Sequence, residues 1–333
     1  MALKMNPTRR TALQTFAAAA ASSVAWPRIA RAEAGYPNHP IRMLMPLAAG
    51  SASDVAGRIV AGKMAANMGQ AIVIDNVQGA AGIVGTDKLA KSAPDGYTLG
   101  GLNDSIMTMV PALQPKLPWD MARDFVPVSL VAAIEWCLVA HPSAPWATAA
   151  DFIKAAKAAP GAIDFGSGGI GSPQHIAMAL FAAEAGITLN HVPYKGASDM
   201  ANGLAGGQVP VAFQGLATVN ALVKGKRLKL LGLSTPKRMA AYAEVPTIAE
   251  SGLPGFEFNS WFAFVLPAGT PADIVAKLSA ETQKAVADPT VREQLMAQSL
   301  TPRGTTADEL AAITKAQAAR YAALIKKAGI KAE

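Results

Sequence analysis

The chain has 333 residues, 51% of them apolar and 16% charged, which is enough material for large cores and too hydrophobic for disorder. A single cysteine, Cys137, excludes an intramolecular disulfide and any multi-cysteine metal site. The net charge of +7 does not mark a nucleic-acid protein: five bases and no acid lie in residues 1–32, the rest holds 25 bases against 23 acids, and no basic patch is interleaved with aromatic residues.

Arg9 and Arg10, the apolar stretch from Phe16 to Trp26, and the small-x-small run Ala30-Arg31-Ala32 predict that residues 1–32 are an export signal peptide. Thr8-Arg9-Arg10 with Leu13 favours the twin-arginine route and Ala12 argues against it, so both that route and Sec stay open. No apolar run approaches the ~20 residues of a membrane span, and no cysteine near the cleavage site could carry a lipid anchor. The expected product is a periplasmic protein.

Past residue 35 strand-like and helix-like segments alternate, the pattern of an α/β fold. Pro40 to Pro46 reads as a strand, and Ala49-Gly50-Ser51-Ala52-Ser53-Asp54 opens a helix running to Met68. Asp54 could act as a base, but at a helix start it is better placed to cap N–H groups. A strand at 71–75 leads to Gly79-Ala80-Ala81-Gly82 and a helix from Ile83. A third strand, 98–102, ends at Asn103-Asp104-Ser105, with Asn103 and Ser105 as candidate ligand contacts. The pattern restarts after Pro142 with a helix at 147–158, a strand at 162–165, a glycine loop, a helix to Ala185 and a strand at 188–193. Further strands are expected at 209–213, 229–233 and 261–266, and two helices, 272–287 and 306–328, close the chain. These helices are expected to pack back on the first unit, which makes the second an insertion with crossing strands near residues 136 and 260.

The glycine loop lies in FGSGGIGSPQH, residues 165–175, and contains a literal G-x-G-x-x-G. A dinucleotide site needs an acid about twenty residues on. The next strand ends Asn190-His191-Val192-Pro193 instead, so no nucleotide cofactor is expected. The general physics remains: glycines allow close backbone approach, and helix N-termini present free N–H groups and partial positive charge. Ser167 and Ser172 can add hydroxyls, and three such loops (50–54, 79–84, 166–172) suit a common anion site, although each could also be a plain connection. The four histidines show no metal spacing and no nucleophile elbow occurs. His175, three residues past Ser172, is the best candidate among them; Lys195 reads as a solvated strand end.

Together PIRMLMPLAAGSASD, QGAAGIVGTDKLAKSAPDGYTL, LPWDMARDFVPVSL, FGSGGIGSPQH, HVPYKGASD, LAGGQVPVAF and RMAAYAEVPTIAESGLPGFE resemble the periplasmic solute-binding proteins of tripartite tricarboxylate transporters, the Bug or TctC type, from about Tyr36 to Ile330. The resemblance implies an α/β clamshell of two lobes, each a mainly parallel sheet flanked by helices, joined by crossing strands. The lobes would be 33–136 plus 260–333 and 137–259. It implies a monomeric receptor, not an enzyme, that delivers a small carboxylate to membrane permease subunits without cofactor, metal or nucleic acid. The contacts it implies are Ala49, Ser51, Ser53, Asp54, Gly82 and Ile83 from the first lobe and Ser167, Gly168, Ser172 and His175 from the second. Ser51 adds a hydroxyl where glycine is common, Ile83 is more apolar than usual, and Gln214 stands where aspartate is frequent. Loss of that acid disfavours an amino-acid ligand and suits a dicarboxylate or aromatic carboxylate. Trp136 could offer a ring face or be a buried hinge residue. A component feeding a sensor kinase and an exported hydrolase using His175 or Asp54 are the alternatives.

Overall fold

The computed structural model describes residues 35–114, 116–327 and 329–330; the predicted signal peptide, residues 1–32, lies outside the described residues. The chain opens with β1 (Ile41–Met45), α1 (Ala52–Met68), β2 (Ile72–Asn76), α2 (Ile83–Ala90) and β3 (Thr98–Asn103). Every residue of β1 except Arg42 is buried, as expected of a central strand covered on both faces. A π-helical turn, Ser105–Met109, and a short helical turn, Val110–Leu113, lead to β4 (Phe125–Ile134). Glu135 then separates β4 from β5 (Trp136–Ala140), and the chain enters a second sheet. That part comprises α3 (Ala149–Ala158), β6 (Asp164–Ser167), α4 (Pro173–Ala185), β7 (Asn190–Pro193), α5 (Ala197–Ala205), β8 (Val211–Gly215), α6 (Leu216–Lys224) and β9 (Lys229–Leu233). The chain returns to the first sheet as β10 (Ser260–Pro267) and ends with α7 (Ala272–Ala287), α8 (Pro289–Ala297), β11 (Leu300–Pro302) and α9 (Ala307–Lys327).

The sheets have the orders β11-β4-β10-β3-β1-β2 and β7-β6-β8-β5-β9. Both are mixed rather than mainly parallel. β1 pairs in parallel with β2 and β3, and β6 with β7 and β8. β10 is antiparallel to β3 and β4, and β5 is antiparallel to β8 and β9. The reason is connectivity. Strands of βα units run toward the space between the sheets, whereas a strand arriving from the other sheet starts there and runs away. The C-terminal ends of β1, β3, β4, β6 and β8 therefore face the same region as the first residues of β5 and β10.

The closing helices α7 and α9 pack against β4, as expected of the C-terminal region. The second sheet's core is aromatic: Phe181 meets Phe213 and Phe256 edge-on at 5.5 and 5.7 Å, and stacks with Phe152 at 6.0 Å. At the crossover Trp136 meets Phe258 at 5.1 Å, and Phe258 meets Tyr321 of α9 at 6.3 Å. Burial raises the pKa of the Cys137 thiol, which is consistent with an inert core side chain. Among the described residues no helix is long and apolar enough to cross a membrane.

Candidate functional site

The site begins with the turn after β1. Ser51 caps α1, its hydroxyl accepting the Asp54 N–H at 3.3 Å. The Asp54 carboxylate accepts from the Gly50 N–H at 2.9 Å, Arg58 Nε at 2.8 Å and Asn76 Nδ2 at 2.9 Å, while Asn76 also donates to the Leu47 carbonyl. Burial opposes the ionised form of Asp54, but these hydrogen bonds outweigh that cost and hold the carboxyl below the usual carboxylate range. Asp54 is thus engaged by the protein and organises the loop.

The second wall starts at Gly82, the N-cap of α2, with φ +95°. A Cβ there would lie 2.5 Å from Ile106 Cδ1, so glycine is required by both conformation and space. From the second sheet come Ser172, Gly196 and Gly215, the N-caps of α4, α5 and α6. A Cβ on Gly196 would stand 2.9 Å from both Ala48 Cβ and Gln78 Oε1, so the two halves touch at that glycine.

Between the sheets lies a cavity of about 650 Å³, mouth included. Among the described residues, the N-caps of five helices line it: Ser51, Gly82, Ser172, Gly196 and Gly215. Other lining side chains are Ser53, Gln78, Asn103, Ser105, Trp136, Gln174, Gln214, Thr218, Ser260 and Lys195. Lys195 is the single charged residue among them, and it is exposed. Helix N-termini carry partial positive charge, so the cavity presents N–H groups, hydroxyls, amides and one ammonium to its contents, and no carboxylate. That arrangement attracts an anion.

Of the residues singled out from sequence, Ser51, Ser53, Gly82, Asn103, Ser105, Gly168, Ser172 and Gln214 line the cavity. Ala49, Asp54, Ile83, Ser167 and His175 do not. Ser167 is fully buried behind the glycine loop. Its hydroxyl lies 2.6 Å from His191 Nε2 and accepts the Gly169 N–H at 3.1 Å. His191 stacks on both Phe165, at 4.8 Å, and His175, at 4.4 Å, and His175 Nδ1 accepts the Gly171 N–H at 3.3 Å. Burial and the neighbouring His175 lower the His191 pKa to about 4, so its ring is neutral at pH 7. The Ser167–His191 pair braces the loop from behind and has no face on the cavity. Gln214 Nε2 donates to the Ala197 carbonyl at 2.7 Å, and its Oε1 accepts from Gln174 at 3.2 Å, which fixes the amide against α5.

Sequence reasoning missed Gln78, Gln174, Thr218 and Ser260, and set Lys195 aside. Gly196 and Gly215 cap their helices without a side chain, so α5 and α6 carried no capping signature and were not read. Thr218 could not be found without α6. Among the described residues no cluster of three or more His, Cys, Asp or Glu could hold a metal.

BugT of Bordetella pertussis is 33% identical over 297 residues, covering 89% of this chain and 91% of BugT. An R. palustris protein solved with adipate is 30% identical with a TM-score of 0.87, covering 89% of this chain and 99% of that one. MatC from Rhodopseudomonas palustris with bound malate is 27% identical with a TM-score of 0.83, covering 87% and 100%. The fold is thus the two-lobed α/β clamshell of periplasmic binding proteins. The model of the tripartite tricarboxylate transporter family receptor (TctC), a family of solute-binding receptors and not of enzymes, matches residues 56–330. The chain belongs to that family.

Proposed function

We propose that the protein is a periplasmic receptor that captures one small carboxylate between its lobes and hands it to the membrane subunits of a tripartite tricarboxylate-type transporter. The observation that carries this reading is the cavity lined by five helix N-caps and Lys195, with no acidic side chain among the described lining residues. The relatives solved with adipate and malate support a carboxylate. The lobes are 33–135 plus 260–333 and 136–259, one residue off the expected boundary because Trp136 pairs within the second sheet, and they join where the chain crosses at Glu135 and returns before Ser260. The contacts are the hydroxyl, amide and backbone groups of Ser51, Ser53, Gly82, Asn103, Ser105, Gly168, Ser172 and Gln214, with Lys195 at the mouth. Ala49, Asp54, Ile83, Ser167 and His175 act by holding the loops that carry those groups. The lack of an acid disfavours ligands with an ammonium group, because a buried cation needs a paired anion.

A thermal-shift and calorimetric screen tests the reading with succinate, malate, adipate, benzoate, aspartate and glutamate. A carboxylate at a hundred times its Kd stabilises the folded state by about 2.7 kcal/mol, a shift of several degrees. A protein that binds none of these acids, or prefers aspartate to succinate, contradicts the reading.

A further inference from the structure

One buried donor of the cavity wall has no use in the fold. Trp136 is 3% exposed and lines the cavity, and its Nε1 has no hydrogen-bond partner. Nearly all buried polar groups are paired, so this orphan calls for an explanation. The Ser260 hydroxyl, in the same wall, is engaged by the buried Asp104 carboxyl. Trp136 is the first residue of β5 and Ser260 the first of β10, the strands by which the chain enters each sheet. Ser260 is registered against Ile134, two residues before Trp136, so the two strand starts lie at the same end of their sheets, at the crossover.

The indole is held where it is. Its ring meets Phe258 edge-on at 5.1 Å and 83°, and the Trp136 carbonyl accepts from the Ser234 N–H and hydroxyl, both at 3.0 Å. A fixed ring presents its N–H at no further ordering cost. An indole nitrogen only donates, so its partner must be an acceptor. The nearby acidic group, Asp104, is fully buried and does not line the cavity. The exposed Lys195 and the helix N-caps supply the charge complement for one carboxylate, which leaves the unpaired indole N–H for a different part of the ligand.

We propose that Trp136 Nε1 forms a floor subsite that binds the second carboxylate of a dicarboxylate ligand. The subsite rests on the carboxylate-receptor reading above and makes that reading more specific. A neutral donor binds a second carboxylate without adding a positive charge that would draw in chloride or phosphate. A monocarboxylate leaves the indole N–H unpaired in the closed cleft. Selection for diacids follows, because a site built to hydrogen-bond a group rejects the analogue that lacks it.

The test uses ligand pairs of equal length, adipate with hexanoate and succinate with butanoate, on wild type and Trp136→Phe. Phenylalanine keeps an aromatic ring beside Phe258 and removes the donor; the volume it also loses affects both acids of a pair alike. Trp136→Phe is expected to weaken the diacid about tenfold to a hundredfold and to leave the monoacid within about twofold. In the wild-type protein the Trp136 indole N–H resonance should move downfield with the diacid and stay put with the monoacid, a readout that stands even if a variant fails to fold. Equal losses for both acids, no loss for either, or an unmoved indole resonance overturns the subsite and leaves the receptor reading intact. A wild type that binds no carboxylate overturns both.

Discussion

Asp104 shows at the residue scale how burial writes a pH dependence into the fold. Burial pushes its carboxyl up to about 7, against the Ser260 hydroxyl and the Ser105 and Trp261 N–H groups that favour the ionised form. The unfolded value is near 3.8, so between the two the folded protein binds the extra proton. Its contribution to stability is therefore complete below about pH 4 and lost as the pH rises through 7. His191 has the opposite sign. Its folded value of about 4 lies below 6.5, so its contribution is present above pH 6.5 and lost as the pH falls through 4. Asp104→Asn keeps an acceptor for the Ser105 N–H, 2.9 Å away, and removes the buried charge. The variant should lose less melting temperature than wild type between pH 5 and pH 8; identical slopes would place the alkaline limb elsewhere. Lys195 acts on the ligand instead of the fold. As the exposed cation at the mouth it should govern capture rate and salt response. Lys195→Met is expected to weaken carboxylate binding about threefold to tenfold and flatten its salt dependence, as calorimetry at two ionic strengths would show.

At the scale of elements, the βα units were legible because their signals are local. The helix from Ser51, with its Ser-x-x-Asp start, and the one from Ser172-Pro173, with proline in its first turn, follow known capping chemistry. α8 carried a comparable signal, Asp288-Pro289, and was passed over: Asp288 accepts the Thr290 and Val291 N–H groups, at 3.0 and 3.3 Å. β4 was harder to see. Its run FVPVSLVAAI does not alternate, because the strand is covered on both faces, and Pro127 argues against a central strand. The structure accommodates that proline with a register shift between Phe264 and Val265 opposite it. The floor of the cavity was illegible for a different reason: Ser260 and Gln174 join the site only through long-range pairing. Ser51 is both a cap and a cavity hydroxyl, and two substitutions separate those roles. Ser51→Ala should cost about 1 kcal/mol of stability and some affinity, whereas glycine, a fair N-cap, should cost only a few tenths in stability. If Ser51→Gly binds carboxylate as well as wild type does, the hydroxyl serves the helix alone.

At the scale of the whole molecule, the lobes are held together by contacts that cross the cleft. The Ala52 N–H donates to Thr218 Oγ1 at 2.9 Å, the Ser105 hydroxyl to the Gly171 carbonyl at 3.2 Å, and the Ser198 hydroxyl to the Ala49 carbonyl at 2.7 Å. Opening would expose all three pairs to water, which can replace each bond at little cost. Each therefore adds only a small bias toward closure, and a ligand bound by both walls supplies the rest. Ser198 isolates this effect because, unlike Thr218 and Ser105, neither it nor Ala49 lines the cavity. Removing its hydroxyl leaves the ligand's contacts in place and lowers the population of the binding-competent state, which raises the apparent Kd by the same factor. An exposed hydrogen bond contributes about 0.5–1.5 kcal/mol, so Ser198→Ala should bind about twofold to tenfold more weakly. The ranking among diacids should stay as in wild type, and dissociation should be faster. Solution scattering should show the wild type contracting on saturation with ligand, and the variant reaching the same final radius at higher ligand concentration. A variant whose ligand ranking changes would place Ser198 in recognition, and a radius that ligand leaves unchanged would rule out closure as the source of affinity.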